Sequence, residues 1–267
     1  MQMKKAIVWS IAVLVLAVAG FYVALSHLTK PAPIAPPPPL AVSPVPTVAP
    51  TMPAPVTHYP LATDNDSKVA QESLPNLENS DPALLSALSA LINKRTITAF
   101  FYPDEIIRRI VATIDNLPRE TIAVQLRPVK PVDGRFLVEE KGVTLSIAPA
   151  NAERYAPYVK VVQEIDAKKL VALYRHFYPL FQQQYQDLGY PTGYFNDRLI
   201  AVIDHLLACP EAPATVDLVQ PHVAYGFADS NLEHGSAGDK ILMRIGNEKA
   251  EKVKGKLREI RRELTGK

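Results

Sequence analysis

The chain has 267 residues, a formal net charge of +2, 25 prolines and one cysteine. A lone cysteine excludes an intramolecular disulfide and any C-x-x-C metal or redox site, and the near-neutral charge argues against a nucleic-acid-binding protein. Cys209 follows an apolar helical pattern and precedes Pro210, so we expect a small buried side chain and not a nucleophile.

The first 28 residues have the pattern of a membrane anchor. Residues 6–25 form an apolar run without a charge, and about 20 helical residues span a bilayer core of roughly 30 Å. Lys4 and Lys5 precede this run, which predicts a cytoplasmic tip at residues 1–5 and a single transmembrane helix over residues 6–28. The alternative is a signal peptide cleaved after Ala19, because Ala17-Val18-Ala19 resembles a cleavage site.

Residues 29–80 are predicted to form a linker. Twelve of the thirty residues 31–60 are proline, a composition that favours an extended polyproline II chain of about 90 Å. The polar and weakly acidic residues 61–80 predict disorder. We expect a spacer that holds the following domain away from the bilayer. A solvated tether, or a ligand for a proline-binding module, is the alternative.

Residues 81–267 predict a mainly α-helical (α+β) domain with one small β-hairpin. One helix begins at Ser80-Asp81-Pro82 and a second at Pro103-Asp104-Glu105, and a loop covers residues 119–133. The hairpin pairs residues 135–139 with 143–147. The apolar patterns predict further helices over 150–164, 166–188, 194–209 and 247–265, and short strands over 216–220 and 223–227.

The region between Tyr155 and Phe195 is rich in tyrosine. On the helix predicted over 166–188, Tyr174, Tyr178 and Tyr185 recur at helical spacing and therefore share one face. Because tyrosine rings can stack on sugars, this face is a candidate glycan-binding surface. The other interpretation, which we favour, is a central core helix, because apolar residues surround most of its circumference.

Motifs in this region carry a resemblance to a known family. The run from Tyr174 to Gln183 reads Tyr-Arg-His-Phe-Tyr-Pro-Leu-Phe-Gln-Gln, and Leu-Gly-Tyr-Pro at 188–191 and Tyr-Phe-Asn-Asp-Arg-Leu at 194–199 follow it. With these motifs, residues 80–265 resemble an uncharacterised bacterial envelope family, domain of unknown function 3014. The resemblance implies the domain limits, the anchor-and-linker layout and a place in the envelope. It implies no catalytic residue, substrate or cofactor.

Asp197 and Asp204 are the candidate carboxylate pair for glycoside hydrolysis. Their seven-residue spacing places them about two helical turns, or roughly 10 Å, apart, which is at the wide limit for that reaction. We interpret them as part of a solvated face, with Asp204 paired to a lysine or arginine. We therefore predict no catalytic residue, no metal site and no cofactor. The candidate binding residues are Tyr174, Tyr178, Tyr185, Tyr190, Tyr194, Asp197 and Arg198.

The helix predicted over 247–265 is basic and amphipathic. An apolar stripe should dock on the domain; it consists of Ala250, Val253, Leu257, Ile260 and Leu264. The same pattern predicts an exposed basic face that could meet anionic lipids or wall polymers. That face contains Lys252, Lys256, Arg258 and Arg262.

Two functions remain as hypotheses. The first is a non-enzymatic scaffold or binding module of the bacterial inner membrane, with its N-terminus in the cytoplasm and its domain in the periplasm. Its partners would be the inner membrane, through residues 6–28, and an unknown envelope protein or peptidoglycan. The second is a cell-wall glycan hydrolase or glycan-binding domain that uses the tyrosine-rich region. The hydrolase needs an open groove lined by tyrosines and carboxylates, so buried tyrosines would contradict it.

Overall fold

The computed structural model describes residues 58–61, 74–221 and 224–266. These residues form a mainly helical domain with a small antiparallel sheet, as the sequence predicts. The predicted anchor at residues 6–28 and most of the predicted linker lie outside the described residues. Among the helices of the described part, none is both long and apolar enough to cross a bilayer.

The domain opens with α1 (Asp81–Leu91), α2 (Lys94–Phe100) and α3 (Ile106–Asn116). Pro82 lies in the first turn of α1, as predicted. The Asp81 carboxylate, however, caps α3: it accepts hydrogen bonds from the backbone N–H groups of Glu105 (2.7 Å) and Ile106 (2.9 Å). Glu105 has a left-handed backbone with φ of 54°, so Asp81 stabilises a sharp turn at the start of α3.

Two parts of the range predicted as linker lie against the domain. Tyr59 and Leu61 pack on the helical core, and so do Leu74 and Leu77. A 3-10 turn over Leu77–Asn79 leads into α1. The prediction of disorder is therefore wrong for residues 74–80, because their leucines cover apolar surface of the domain.

β1 (Val138–Lys141) and β2 (Thr144–Ile147) form the predicted hairpin, with Val138 opposite Ile147. The first strand begins at Val138 and not at residue 135. Gly142 has a positive φ of 64°, which the tight turn between the strands requires.

The hairpin belongs to a larger sheet. β3 (Asp217–Val219) pairs with β2, and β4 (Gly226–Phe227) pairs with β3, which gives the antiparallel order β1-β2-β3-β4. The sequence predicts both short strands but not their pairing with the hairpin. Val216, Leu218 and Phe227 form a small apolar cluster of their own on this sheet.

The helical body follows the hairpin. It contains a 3-10 helix at Pro149–Tyr155, α4 (Ala156–Gln163), α5 (Ala167–Asp187), α6 (Phe195–Ala208), the short α7 (Ser230–Glu233), α8 (Ala237–Ile245) and α9 (Asn247–Thr265). These bounds agree closely with the predicted helices, but the sequence does not predict α7 or α8. α9 packs on α4, α5, α6 and α8, while α3 packs on α5 and α6.

α5 is the central helix of this body. Its buried residues include Tyr174, Phe177, Phe181 and Tyr185, which confirms the core-helix interpretation for these positions. The helix continues through Pro179, although a proline in this position has no N–H to donate to the carbonyl four residues earlier.

α9 docks through the predicted apolar stripe, whose five residues are all buried. The prediction that Lys256 is exposed is wrong. The Lys256 ammonium is buried and donates to the Ile165 carbonyl oxygen (2.6 Å), and it also pairs with Glu259. Lys254 is buried as well and donates to the Cys209 carbonyl oxygen. Both lysines therefore fasten α9 to neighbouring chain segments, since a buried ammonium needs hydrogen-bond acceptors.

Candidate functional site

The predicted binding residues lie on α5, on the loop after it and at the start of α6. Tyr174 and Tyr185 are buried, Tyr178 and Tyr190 are partly buried, and the side chain of Tyr194 is 52% exposed. A ligand in solution can therefore reach Tyr194 but not the rings of Tyr174 and Tyr185. The α5 tyrosines do not form an open glycan-binding groove.

Burial also fixes the protonation state of these tyrosines. Desolvation raises the pKa of Tyr174 well above its usual 10.0, and it raises the pKa values of Tyr178 and Tyr185 too. All three phenols stay protonated at physiological pH, so none can act as a base there. The apolar cavity beside Tyr174 measures about 40 Å³, far below the roughly 300–1,000 Å³ of small-molecule sites.

Gln182 organises the loop between α5 and α6. Its Nε2 donates to the Gly193 carbonyl oxygen (2.7 Å), and its Oε1 accepts from the Phe195 N–H and from the Tyr178 hydroxyl, each at 2.9 Å. Sequence reasoning gave this residue no role of its own. The sequence signal for this role is that Gln182 lies one helical turn from both Tyr178 and Tyr185.

Asp115 is the centre of a charge cluster that sequence reasoning missed. Its side chain is only 3% exposed. Its Oδ1 accepts from Arg198 Nε (3.0 Å), and its Oδ2 accepts from Arg119 Nη2 (2.6 Å) and from the Tyr190 hydroxyl (3.1 Å). Arg198 Nη2 also donates to the Asp115 carbonyl oxygen (2.6 Å). The cluster ties the end of α3 to the start of α6 and brings together two predicted site residues, Tyr190 and Arg198.

Asp197 holds residues 58–61, which we call the strap. Its Oδ1 accepts from the Tyr59 N–H (2.8 Å), and its Oδ2 lies 2.7 Å from His58 Nδ1. The amide of Asn196 donates to the Tyr59 carbonyl oxygen (2.8 Å), and the His58 ring packs on Tyr194 with centroids 4.1 Å apart. The predicted site residues Tyr194 and Asp197 thus bind a segment of the same chain.

Replacing Asp197 with alanine should release the strap from the start of α6. The Tyr59 N–H would lose its acceptor, so its hydrogen exchange should become faster, and the free energy of unfolding should fall by about 1–2 kcal/mol. Hydrogen-exchange mass spectrometry on the strap measures the first effect. Asp187→Ala, at an exposed position at the end of α5, is the matched control. Unchanged strap protection in the Asp197 variant would contradict this assignment.

Asp204 pairs with Arg261 through two hydrogen bonds, as the sequence predicts. His205 faces α8, where its Nε2 lies 2.8 Å from Ser236 Oγ and 3.6 Å from Asp239 Oδ2. Ser236 Oγ also caps α8 by accepting from the Asp239 N–H. In a catalytic triad the serine and the carboxylate contact different ring nitrogens, so this group is not arranged as a triad.

Cys209 is buried, as predicted. Burial is the largest cause that raises the pKa of its thiol from 9.0 to about 12. The thiol is therefore protonated at physiological pH and is a poor nucleophile. Among the described residues, no group of three or more histidine, cysteine, aspartate or glutamate side chains is placed to hold a metal ion.

An open groove of about 770 Å³ lies between the start of α5 and the end of α9. The formal charges of its lining side chains sum to zero. The basic lining residues are Lys168, Arg175 and Arg262, and the acidic ones are Asp166, Glu259 and Glu263.

The region of the chain from α3 into α9 matches a protein family. A family model described as "Protein of unknown function (DUF3014)" matches residues 106–261. The chain belongs to the DUF3014 family. The match to DUF3014 includes Asp115, Gln182, Asp197 and Arg198, and it confirms the resemblance read from the motifs. No curated protein and no solved structure matches the chain.

Proposed function

We propose that this chain is a non-enzymatic scaffold or binding module of the bacterial cell envelope. A single helix over residues 6–28 anchors it in the inner membrane with its N-terminus in the cytoplasm, and the proline-rich linker presents the helical domain in the periplasm. The apolar run after Lys4 and Lys5 supports the anchor and its orientation, and the proline content supports the spacer.

One observation carries the proposal for the domain: three polar side chains of the α5–α6 motif bind groups of the domain itself. Gln182 holds the loop, Asp197 holds the strap and Arg198 holds Asp115. A catalytic acid or base must instead reach a substrate across a cleft. These side chains are used to fix the shape of a surface, as a binding module requires.

Glycan binding is the second candidate, and the exposed ring of Tyr194 favours it. It would use the loop and the start of α6, without the buried tyrosines of α5. Hydrolysis has no comparable support, since the carboxylates of Asp197 and Asp204 are engaged by the strap and by Arg261.

Thiol labelling from outside the inner membrane tests the proposed location. Val143 is fully exposed at the tip of the hairpin, so a Val143→Cys variant offers an accessible thiol. In cells with a permeabilised outer membrane and an intact inner membrane, a membrane-impermeant maleimide should label this variant.

A further inference from the structure

We propose that Arg119, Arg198 and Tyr190 form a binding site for a carboxylate group. This inference deepens the proposed function. It rests on that function only for the source of the ligand. We assign this source to the carboxylates of cell-wall peptides. The site lies beside the charge cluster around Asp115, at the junction of α3, α6 and the loop after α5.

The cluster has a surplus of positive charge. Asp115 contributes one negative charge, and the two arginines contribute two positive charges. In the described part of the chain, each arginine forms its ion pair with Asp115. A second carboxylate would therefore complete the charge balance at this position.

The arginines retain hydrogen-bonding capacity for such a ligand. Arg119 uses Nη2 for both Asp115 and Tyr190, whereas Arg198 uses Nε and Nη2 for Asp115. A guanidinium has five N–H donors in a planar fork that matches a carboxylate. In the described part of the chain, Nε and Nη1 of Arg119 have no protein acceptor, and 54% of this side chain is exposed.

The cluster also holds this site in place before a ligand arrives. Asp115 is buried and fixes both arginines, and the Tyr190 ring stacks on Tyr185 with centroids 4.5 Å apart. A side chain that is already fixed loses less conformational entropy on binding, so the affinity is higher than for a free surface arginine. The partly buried ring of Tyr190, held by this stacking, supplies an apolar surface next to the charged groups.

Glutarate titration of the full-length chain, purified in mild detergent, tests the site. NMR of the arginine Nε–H groups at constant ionic strength should show saturable shifts for Arg119 and Arg198. Arg108 is the matched control, because it is 53% exposed and also pairs with a carboxylate, that of the half-exposed Glu105. Arg119→Gln should weaken glutarate binding by about tenfold, whereas Arg108→Gln should leave it unchanged.

Folding and binding are separated by two further measurements. Thermal melts identify variants that fail to fold. The Arg119→Lys variant retains the positive charge but loses the planar fork of the guanidinium, so it should bind glutarate more weakly than the native chain. Equal shifts at Arg108 and Arg119, or unchanged binding by Arg119→Gln, would overturn the carboxylate site.

Co-sedimentation with purified peptidoglycan sacculi tests the source of the carboxylate. The chain should sediment with native sacculi, and Arg119→Gln or chemical amidation of the sacculus carboxyl groups should reduce the bound fraction. Glutarate binding without Arg119-dependent sedimentation would support the carboxylate site and overturn its assignment to the wall. A cytoplasmic location of the domain would contradict the proposed function and would not alter the glutarate result.

Discussion

Phe195→Ala is expected to lower the free energy of unfolding by about 3–5 kcal/mol. Phe195 is fully buried at the start of α6, and its ring stacks on Phe181 with centroids 5.7 Å apart. It also contacts the rings of Tyr174 and Tyr185. The substitution would leave a cavity where α5 and α6 meet, and this loss is a large part of a typical total stability of about 5–15 kcal/mol.

The neighbouring residue provides the control for this prediction. Tyr194 is half exposed and packs on His58, so Tyr194→Ala should cost less than about 1 kcal/mol. Urea unfolding followed by far-UV circular dichroism measures both values on the same chain. Equal losses for the two variants would contradict the buried position of Phe195 and the exposed position of Tyr194.

Asp115→Ala is expected to lower the free energy of unfolding by about 3 kcal/mol. The substitution removes the acceptor for Arg198, Arg119 and Tyr190, and breaking a buried pair from one side costs about 3–5 kcal/mol. We expect the lower end of this range for two reasons. Both arginines are partly exposed, and Asp115 lies near the C-terminal end of α3, where a negative charge is unfavourable.

Asp204→Ala is the matched control for the Asp115 variant. Asp204 also accepts two hydrogen bonds from an arginine, but its side chain is 44% exposed. Exposed pairs contribute about 0–1 kcal/mol, so this variant should lose less than about 1 kcal/mol. If the Asp204 variant lost as much as the Asp115 variant, the buried cluster would not be a main contact between α3 and α6.

The sequence predicts the helices that have a regular apolar period. α5, α6 and α9 carry such patterns, and the structure gives nearly the predicted bounds. α8 is not predicted because it is only 9 residues long and contains Lys240 and Arg244, which are buried beside its apolar residues. Lys256 was assigned to the exposed face for a related reason: a sequence does not show that the Ile165 carbonyl oxygen lies within reach of its ammonium.

The candidate site was only partly predictable, because its contacts join distant parts of the chain. Tyr190, Tyr194, Asp197 and Arg198 were identified from a tyrosine-rich motif. Asp115 lies 83 residues from Arg198, and His58 lies 139 residues from Asp197. Such pairs follow from the packing of α3 and the strap on α6, which helical periodicity does not determine.

Labelling of Val143→Cys tests the central claim most directly, namely that the domain is presented outside the inner membrane. The native chain is its control, since Cys209 is buried, has a pKa of about 12, and should stay unlabelled until the domain unfolds. The proposed topology predicts labelling of Val143→Cys by an impermeant maleimide while the inner membrane is intact. Labelling of this variant only after the inner membrane is lysed would contradict it.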